Sequence, residues 1–275
     1  MRVAEPVVAG WKAELDLEFE QRAERTVLAK RRHDGPLVVQ KPLYPEGDAV
    51  CHAIVVHPPG GVAGGDELEI AVDASRGAHA LLTTPGAGKW YRSSGAWARQ
   101  QLSFSVADGA SLEWLPQETI IFDGALAKLE TEVQLAGDAT FLGWEILCFG
   151  RSGSGERFTR GECCVTMEIR RDGRLLWLER GRIEGGGNLM RSEAGLSGRS
   201  VCATMLACGP GLGASTLAQC RIIEDVPLTL LPGVLVARHL GDSSELAKRC
   251  FARLWSVLRP ALCGREAVEP RIWRT

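Results

Sequence analysis

Strict two-residue alternation, broken at short intervals by turn residues, is the feature that most limits what this chain can fold into. Ala13-Glu14-Leu15-Asp16-Leu17-Glu18-Phe19-Glu20 alternates apolar and polar without a gap. That is the mark of a strand with one buried face and one wet face. The same period returns over residues 68–72, 128–135, 140–149, 162–169 and 175–183. Asp34-Gly35, Asp108-Gly109, Asp123-Gly124, Arg171-Asp172-Gly173 and Gly185-Gly186-Gly187-Asn188 fall between such runs and supply turns. Strands at this spacing, with no helices between them, predict an all-β architecture.

Only the C-terminal third changes period. Leu246, Cys250, Phe251, Leu254, Val257 and Leu258 form one apolar stripe at helical spacing, predicting a helix over residues 243–258. Asp242 is the expected N-cap, with Glu245 three residues on, and Pro260 the expected stop. A shorter helix is expected over 211–220, after the Gly209-Pro210-Gly211 break. Trp255 lies beside the stripe, where it either widens a surface for a partner or packs on the chain's own sheet. The tail Pro270-Arg271-Ile272-Trp273-Arg274-Thr275 stays apolar to the end, as in termini that are tied down or bound.

Composition narrows the function classes. With 45% hydrophobic and 24% charged residues among 275, a sizeable core is affordable. A formal net charge of −2 gives no electrostatic case for nucleic acid. No apolar run is long enough to span a membrane, and the N-terminus lacks a signal-peptide core, so a cytoplasmic protein is expected. Nine scattered cysteines with no CxxC argue against a zinc finger or a disulfide framework. No repeat or linker interrupts the chain, and residues 1–275 read as one domain.

Catalytic motifs are missing. Thr83 and Trp90 stand where a phosphate loop around Gly88-Lys89 needs glycine and a hydroxyl. No HExxH occurs, and Gly150-Arg151-Ser152-Gly153-Ser154-Gly155 sits among strands rather than before a helix. No catalytic residue is therefore assigned. The stretch Cys51-His52-Ala53-Ile54-Val55-Val56-His57-Pro58-Pro59-Gly60-Gly61-Val62-Ala63-Gly64-Gly65-Asp66 reads as strand, shaped loop, strand. Its paired glycines provide positive φ or close backbone approach. Cys51, His52, His57, Asp66 and Glu145 are competent metal-ligand types, but adjacent strand residues face opposite ways. A tight closed site is disfavoured. Carboxylates lining a wet passage fit the scattered spacing better.

These strings resemble the urease accessory protein UreD family, called UreH in some organisms. The resemblance rests on Gln40-Lys41-Pro42-Leu43-Tyr44-Pro45-Glu46, the whole stretch from Cys51 to Asp66, Lys89-Trp90-Tyr91-Arg92-Ser93, Leu112-Glu113-Trp114-Leu115-Pro116-Gln117-Glu118, Leu258-Arg259-Pro260 and the terminal Pro270-Arg271-Ile272-Trp273, and it covers nearly the whole chain. It implies a mainly β, β-helix-like stack of sheets with about two C-terminal helices. It also implies a non-enzymatic chaperone that binds apo-urease and, with UreF and UreG, supports nickel delivery through an internal passage, in a 2:2 assembly through UreF. No cofactor would be tightly bound, and nickel would be in transit. Matching positions place Asp66, Glu145 and Glu179 at the passage, with Asp48, Cys51 and His57 as further metal-contacting candidates. UreF contact would draw on Leu254, Trp255, Leu258, Ile272 and Trp273. A β-helical hydrolase with paired carboxylates and a nickel storage protein are the competing readings.

Overall fold

The computed structural model describes residues 10–274. The chain winds between two facing sheets. Strands β1 (Lys12–Arg22), β2 (Arg25–Asp34), β3 (Val38–Val39), β4 (Cys51–Val56), β5 (Glu67–Ala74), β6 (His79–Thr83), β7 (Gly88–Trp90), β8 (Ala98–Val106), β9 (Ser111–Trp114), β10 (Thr119–Ile121), β11 (Leu126–Leu135), β12 (Thr140–Phe149) and β13 (Glu162–Arg171) build the stack. After β14 (Arg174–Glu184) come α1 (Asn188–Arg191), β15 (Val201–Cys208), α2 (Ala214–Ile223), β16 (Leu228–Leu231), β17 (Val234–Gly241) and α3 (Ser244–Cys263). The first sheet has the order β14-β13-β11-β8-β5-β1-β2, and the second runs β16-β17-β15-β12-β9-β6-β4-β3, with β7 and β10 as a short side ladder.

Neighbours inside the stack pair in parallel: β5, β8, β11 and β13 in one sheet, β4, β6, β9 and β12 in the other. Parallel strands need a long crossover, usually a helix. Here the strand of the opposite sheet is the crossover, which is why no βαβ pattern appears in the sequence. Tight turns on one edge keep the coils in step. Gly109 and Gly137 sit at φ +69° and +50°, Ala107 N–H donates to the Ala74 carbonyl, and Ala136 N–H donates to the Val106 carbonyl. The Asp108 carboxylate accepts from Asp138 N–H at 2.8 Å, one coil further on. Antiparallel hairpins close both ends: β1 with β2, and β13 with β14.

Alternation sorts the residues into two cores. Leu15, Leu17 and Phe19 from β1, Phe104 from β8 and Phe141 from β12 fill the space between the sheets. The other face of β12 and β15, with Leu142, Trp144, Ile146, Ala203 and Met205, packs under α3. The stripe on α3 therefore serves the chain itself: Phe251, Leu254, Trp255 and Leu258 are fully buried. This corrects the placement of Leu254, Trp255 and Leu258 as partner contacts. Trp273 is half-buried against the same core. Its ring lies 5.5 Å from Trp144 and 5.8 Å from Trp255, and its indole N–H donates to Thr83 Oγ1 at 2.9 Å. Ile272 beside it is partly buried.

Three helix expectations shift. The N-cap of α3 is Ser243, which accepts from Leu246 N–H at 3.2 Å. The carboxylate of Asp242 instead takes Ser200 N–H at 3.0 Å and Arg199 Nη1 at 2.7 Å. The helix also runs through Pro260 to Cys263, although proline removes a backbone donor there. Buried Arg259 and Leu262 on either side hold that turn in place, and Gly264 ends it in the left-handed conformation, donating to the Pro260 carbonyl. The shorter helix begins at Ala214, a few residues later than expected.

A buried charge network pins α3 to the stack. Arg259 donates from Nε to Glu113 Oε1 at 3.0 Å, and from Nη1 and Nη2 to the two Glu46 oxygens at 2.8 Å each. Glu113 also pairs with His79 Nε2 at 2.7 Å and accepts from the Trp255 indole at 2.5 Å. Glu46 meets His52 Nε2 at 2.6 Å. Four segments distant in sequence thus share one satisfied cluster, which is the condition under which buried charge is tolerated.

Candidate functional site

Two cavities lie between the sheets and meet at one pair of side chains. The larger, about 320 Å³, is lined by His57, Gly60 and Gly61 at the glycine-rich loop, and by Gln100, Leu102, Thr131 and Trp114 further in. The smaller, about 180 Å³, is lined by Glu179, Cys202, Thr204, Val165 and Ile183, among others. Glu145 and Met167 belong to both linings. They come from β12 and β13 and so face each other from opposite sheets.

Strand register explains why one level of the stack carries this path. In the first sheet Ile70 pairs with Leu102, Leu102 with Thr131, Thr131 with Met167, and Met167 with Glu179. All five line a cavity. In the second sheet Glu145 pairs with Thr204, and Thr204 with Arg238. Partner positions on neighbouring strands face the same way, so each sheet presents one continuous inward row. Polar or flexible side chains take the centre of those rows, at Thr131, Met167, Glu145 and Thr204, where a packed core would carry large aliphatics.

Glu145 is the chemically unusual member. It lies deep between the sheets, and its carboxyl meets only cavity space and the field of Glu179. Burial, with Glu179 adding like charge, pushes it up to about 7. No hydrogen bond reaches it from any described residue. At neutral pH it is therefore divided between the neutral acid and a carboxylate able to hold a cation. Burial lowers His57 below the ordinary histidine range, an effect that the Asp66 charge opposes. That keeps the ring neutral near pH 7 and available as a ligand. Burial raises the Cys202 thiol, so it faces the smaller cavity as an uncharged group.

The six sequence-derived metal candidates separate cleanly. His57, Glu145 and Glu179 line the cavities. Asp66 does not, because its carboxylate caps the loop, accepting from Ala63 N–H at 2.7 Å and Trp11 N–H at 2.9 Å. Asp48 is exposed, 3.6 Å from Arg25. Cys51 is buried in the core beside Tyr44, and desolvation holds its thiol up. His52 is spent on Glu46. Among the described residues no group of three or more His, Cys, Asp or Glu side chains is placed to hold a metal ion. The arrangement suits successive weak contacts along a path rather than one closed centre.

The loop that shapes the larger mouth uses its glycines in two ways. Gly60 and Gly65 lie at φ +75° and +97°. Gly61 and Gly64 are packed tightly: an added methyl would come within 2.2 Å of the Tyr91 ring and 2.4 Å of Ser93 Oγ respectively. Sequence reasoning did not reach Arg238, Glu46, Glu113, His79 or Arg259. Glu113 sits in Leu112-Glu113-Trp114-Leu115, an acid inside an apolar run just as Glu145 is. Applied evenly, that signal finds both.

Known proteins resemble this chain over nearly its whole length. A family model described as UreD urease accessory protein matches residues 12–274. A protein of Azoarcus sp. (strain BH72) called urease accessory protein UreD is 57% identical over 279 residues, covering 100% of this chain and 98% of that one. A protein of the same description from Dechloromonas aromatica (strain RCB) is 55% identical over 273 residues, covering 96% and 95%. One from Methylobacillus flagellatus is 49% identical over 270 residues, covering 96% and 95%. With one family model spanning nearly every residue and relatives 49–57% identical over nearly their full length, the chain belongs to the urease accessory protein UreD family.

Proposed function

We propose that this chain is a non-catalytic scaffold that conducts nickel to apo-urease through its inter-sheet cavities, with UreF and UreG feeding the ion from the other side. The observation carrying this reading is Glu145, an unpaired carboxyl at the junction of two cavities, titrating near neutrality. Nickel is cargo here. It enters past His57, is held briefly at Glu145, and leaves past Glu179. Conduction needs contacts strong enough to admit an ion and weak enough to release it, and single carboxylates in series meet that need.

UreF docks, in this reading, on the outer surface of the two longer helices. The buried side of α3 is closed to partners, but Leu246 on α3 is 47% exposed and Ile222 on α2 is 82% exposed. Truncation after Gly241 would remove Arg259 and the whole α3 side of the second core, so it tests folding rather than docking. Ile222→Asp and Leu246→Asp are the informative changes.

The placement of Glu145 and Glu179 on one cavity also favours a second reading, a hydrolase using paired carboxylates. The smaller cavity argues against it, since about 180 Å³ is below the usual range for an organic ligand. Assaying the isolated chain against glycoside substrates separates the two, with no turnover expected. Equilibrium dialysis of the isolated chain against nickel separates conduit from storage. Binding in the micromolar range or weaker is expected for a conduit, whereas a nanomolar site would be a store.

A further inference from the structure

Glu179 is not left to the passage alone. Arg238 donates from Nη1 to Glu179 Oε1 at 2.5 Å and to Thr204 Oγ1 at 2.6 Å, and its guanidinium carbon lies 5.6 Å from the centre of the Trp177 ring. Thr204 and Glu179 line the smaller cavity, while Arg238, paired with Thr204 on the next strand, lies beside them and outside the lining. It is a cation fixed at the edge of a cation path. A divalent ion between two inward carboxylates, with no resident counter-charge, would be drawn to both, since each carboxylate contributes its own attraction. Such a site stores ions and does not pass them on.

We propose that Arg238 is a positioning residue that sets how tightly the passage holds its cargo: by engaging Glu179 it keeps the Glu145–Glu179 pair from closing on a divalent cation. This rests on the conduit reading above and adds its regulation. Thr204 is the second anchor of the guanidinium, and the Trp177 face offers it a cation–π seat.

The test is nickel binding to the isolated chain by equilibrium dialysis at pH 8, read beside urease activation in co-expressing cells at limiting nickel. Arg238→Gln is expected to tighten nickel binding about tenfold, the weight of one added contact, and to lower activation. A merely structural role would weaken both. Arg238→Lys, which keeps the charge, is expected to stay near wild type. Glu179→Gln placed on Arg238→Gln is expected to reverse the tightening. Thr204→Val, which removes one anchor and suits a strand, is expected to shift affinity the same way by a smaller factor. It carries the test alone if Arg238→Gln does not fold. Unchanged or weaker nickel binding in Arg238→Gln, or in Thr204→Val when that variant stands alone, overturns the proposal, as does tightening that survives Glu179→Gln. Failure of the conduit reading looks different: Glu145→Gln would then leave activation unchanged, whatever Arg238→Gln does to affinity.

Discussion

At the scale of single residues, two buried carboxyls show opposite settings. Glu145 has no partner and is pushed up to about 7, whereas Glu46 is held down at about 2 by His52 and Arg259, against its own desolvation. Their pH signatures have opposite sign. The folded state binds the Glu145 proton more tightly than the unfolded chain does, so stability falls as pH rises from about 4.5 to 7. Glu145→Gln removes that cost. It is expected to raise the melting temperature at pH 8 by several degrees and to change it little at pH 4, as measured by thermal unfolding at both pH values. Glu46 works the other way. Its stabilisation is full above about pH 4.5 and is lost as pH falls towards 2, and is worth about 3 kcal/mol from the shift. Glu113 is held low as well, by His79 and Arg259. Acid unfolding monitored by circular dichroism should therefore move to higher pH in Glu46→Gln. Glu145 was legible as a ligand-type residue and through the family resemblance, whereas the partnerless setting of its carboxyl was not. The capping role of Asp66 is not visible locally, since no neighbouring residue shows whether its oxygens meet backbone N–H groups or open space.

At the scale of elements, α3 is the clearest case of a pattern read correctly and assigned incompletely. The stripe from Leu246 to Leu258 predicts a helix, and the helix forms. A stripe says that a face is covered, but not by what, and here the chain's own second sheet covers it. Arg259 was hidden for a different reason. A charged residue at the end of an amphipathic helix ordinarily reaches solvent, and only long-range contact with Glu46 and Glu113 draws this one inside. Replacing it takes the guanidinium from two buried carboxylates and leaves them only their neutral-capable partners His79, Trp255 and His52. Arg259→Ala is expected to cost about 3–5 kcal/mol, seen as a large drop in the denaturant midpoint. On the outer face of the helices, Ile222→Asp and Leu246→Asp are expected to leave the melting temperature within a few degrees while reducing recovery of UreF in a pull-down. Recovery at the wild-type level would move the docking surface elsewhere.

At the scale of the whole molecule, the strands were legible and their wiring was not. Alternation and Asp-Gly turns mark where strands begin and end, and most of the long runs match. Parallel pairing leaves no such local trace, because residues such as Leu102 and Thr131 meet only when two coils stack. The pair of cavities has the same origin. No short stretch contains it. It arises where Thr131, Met167, Glu145 and Thr204, spread over four strands, fall at one level of the two sheets. Register is what brings these residues beside the two cavities.

The most direct test is the nickel content of urease matured in cells that carry Glu145→Gln, at limiting nickel, with the chaperone–urease complex recovered in parallel. The conduit account predicts an intact complex and about tenfold less nickel per urease active site, the loss of one contact's worth of free energy. Wild-type nickel content with the complex intact would contradict it, because the ion would then reach urease without passing the junction.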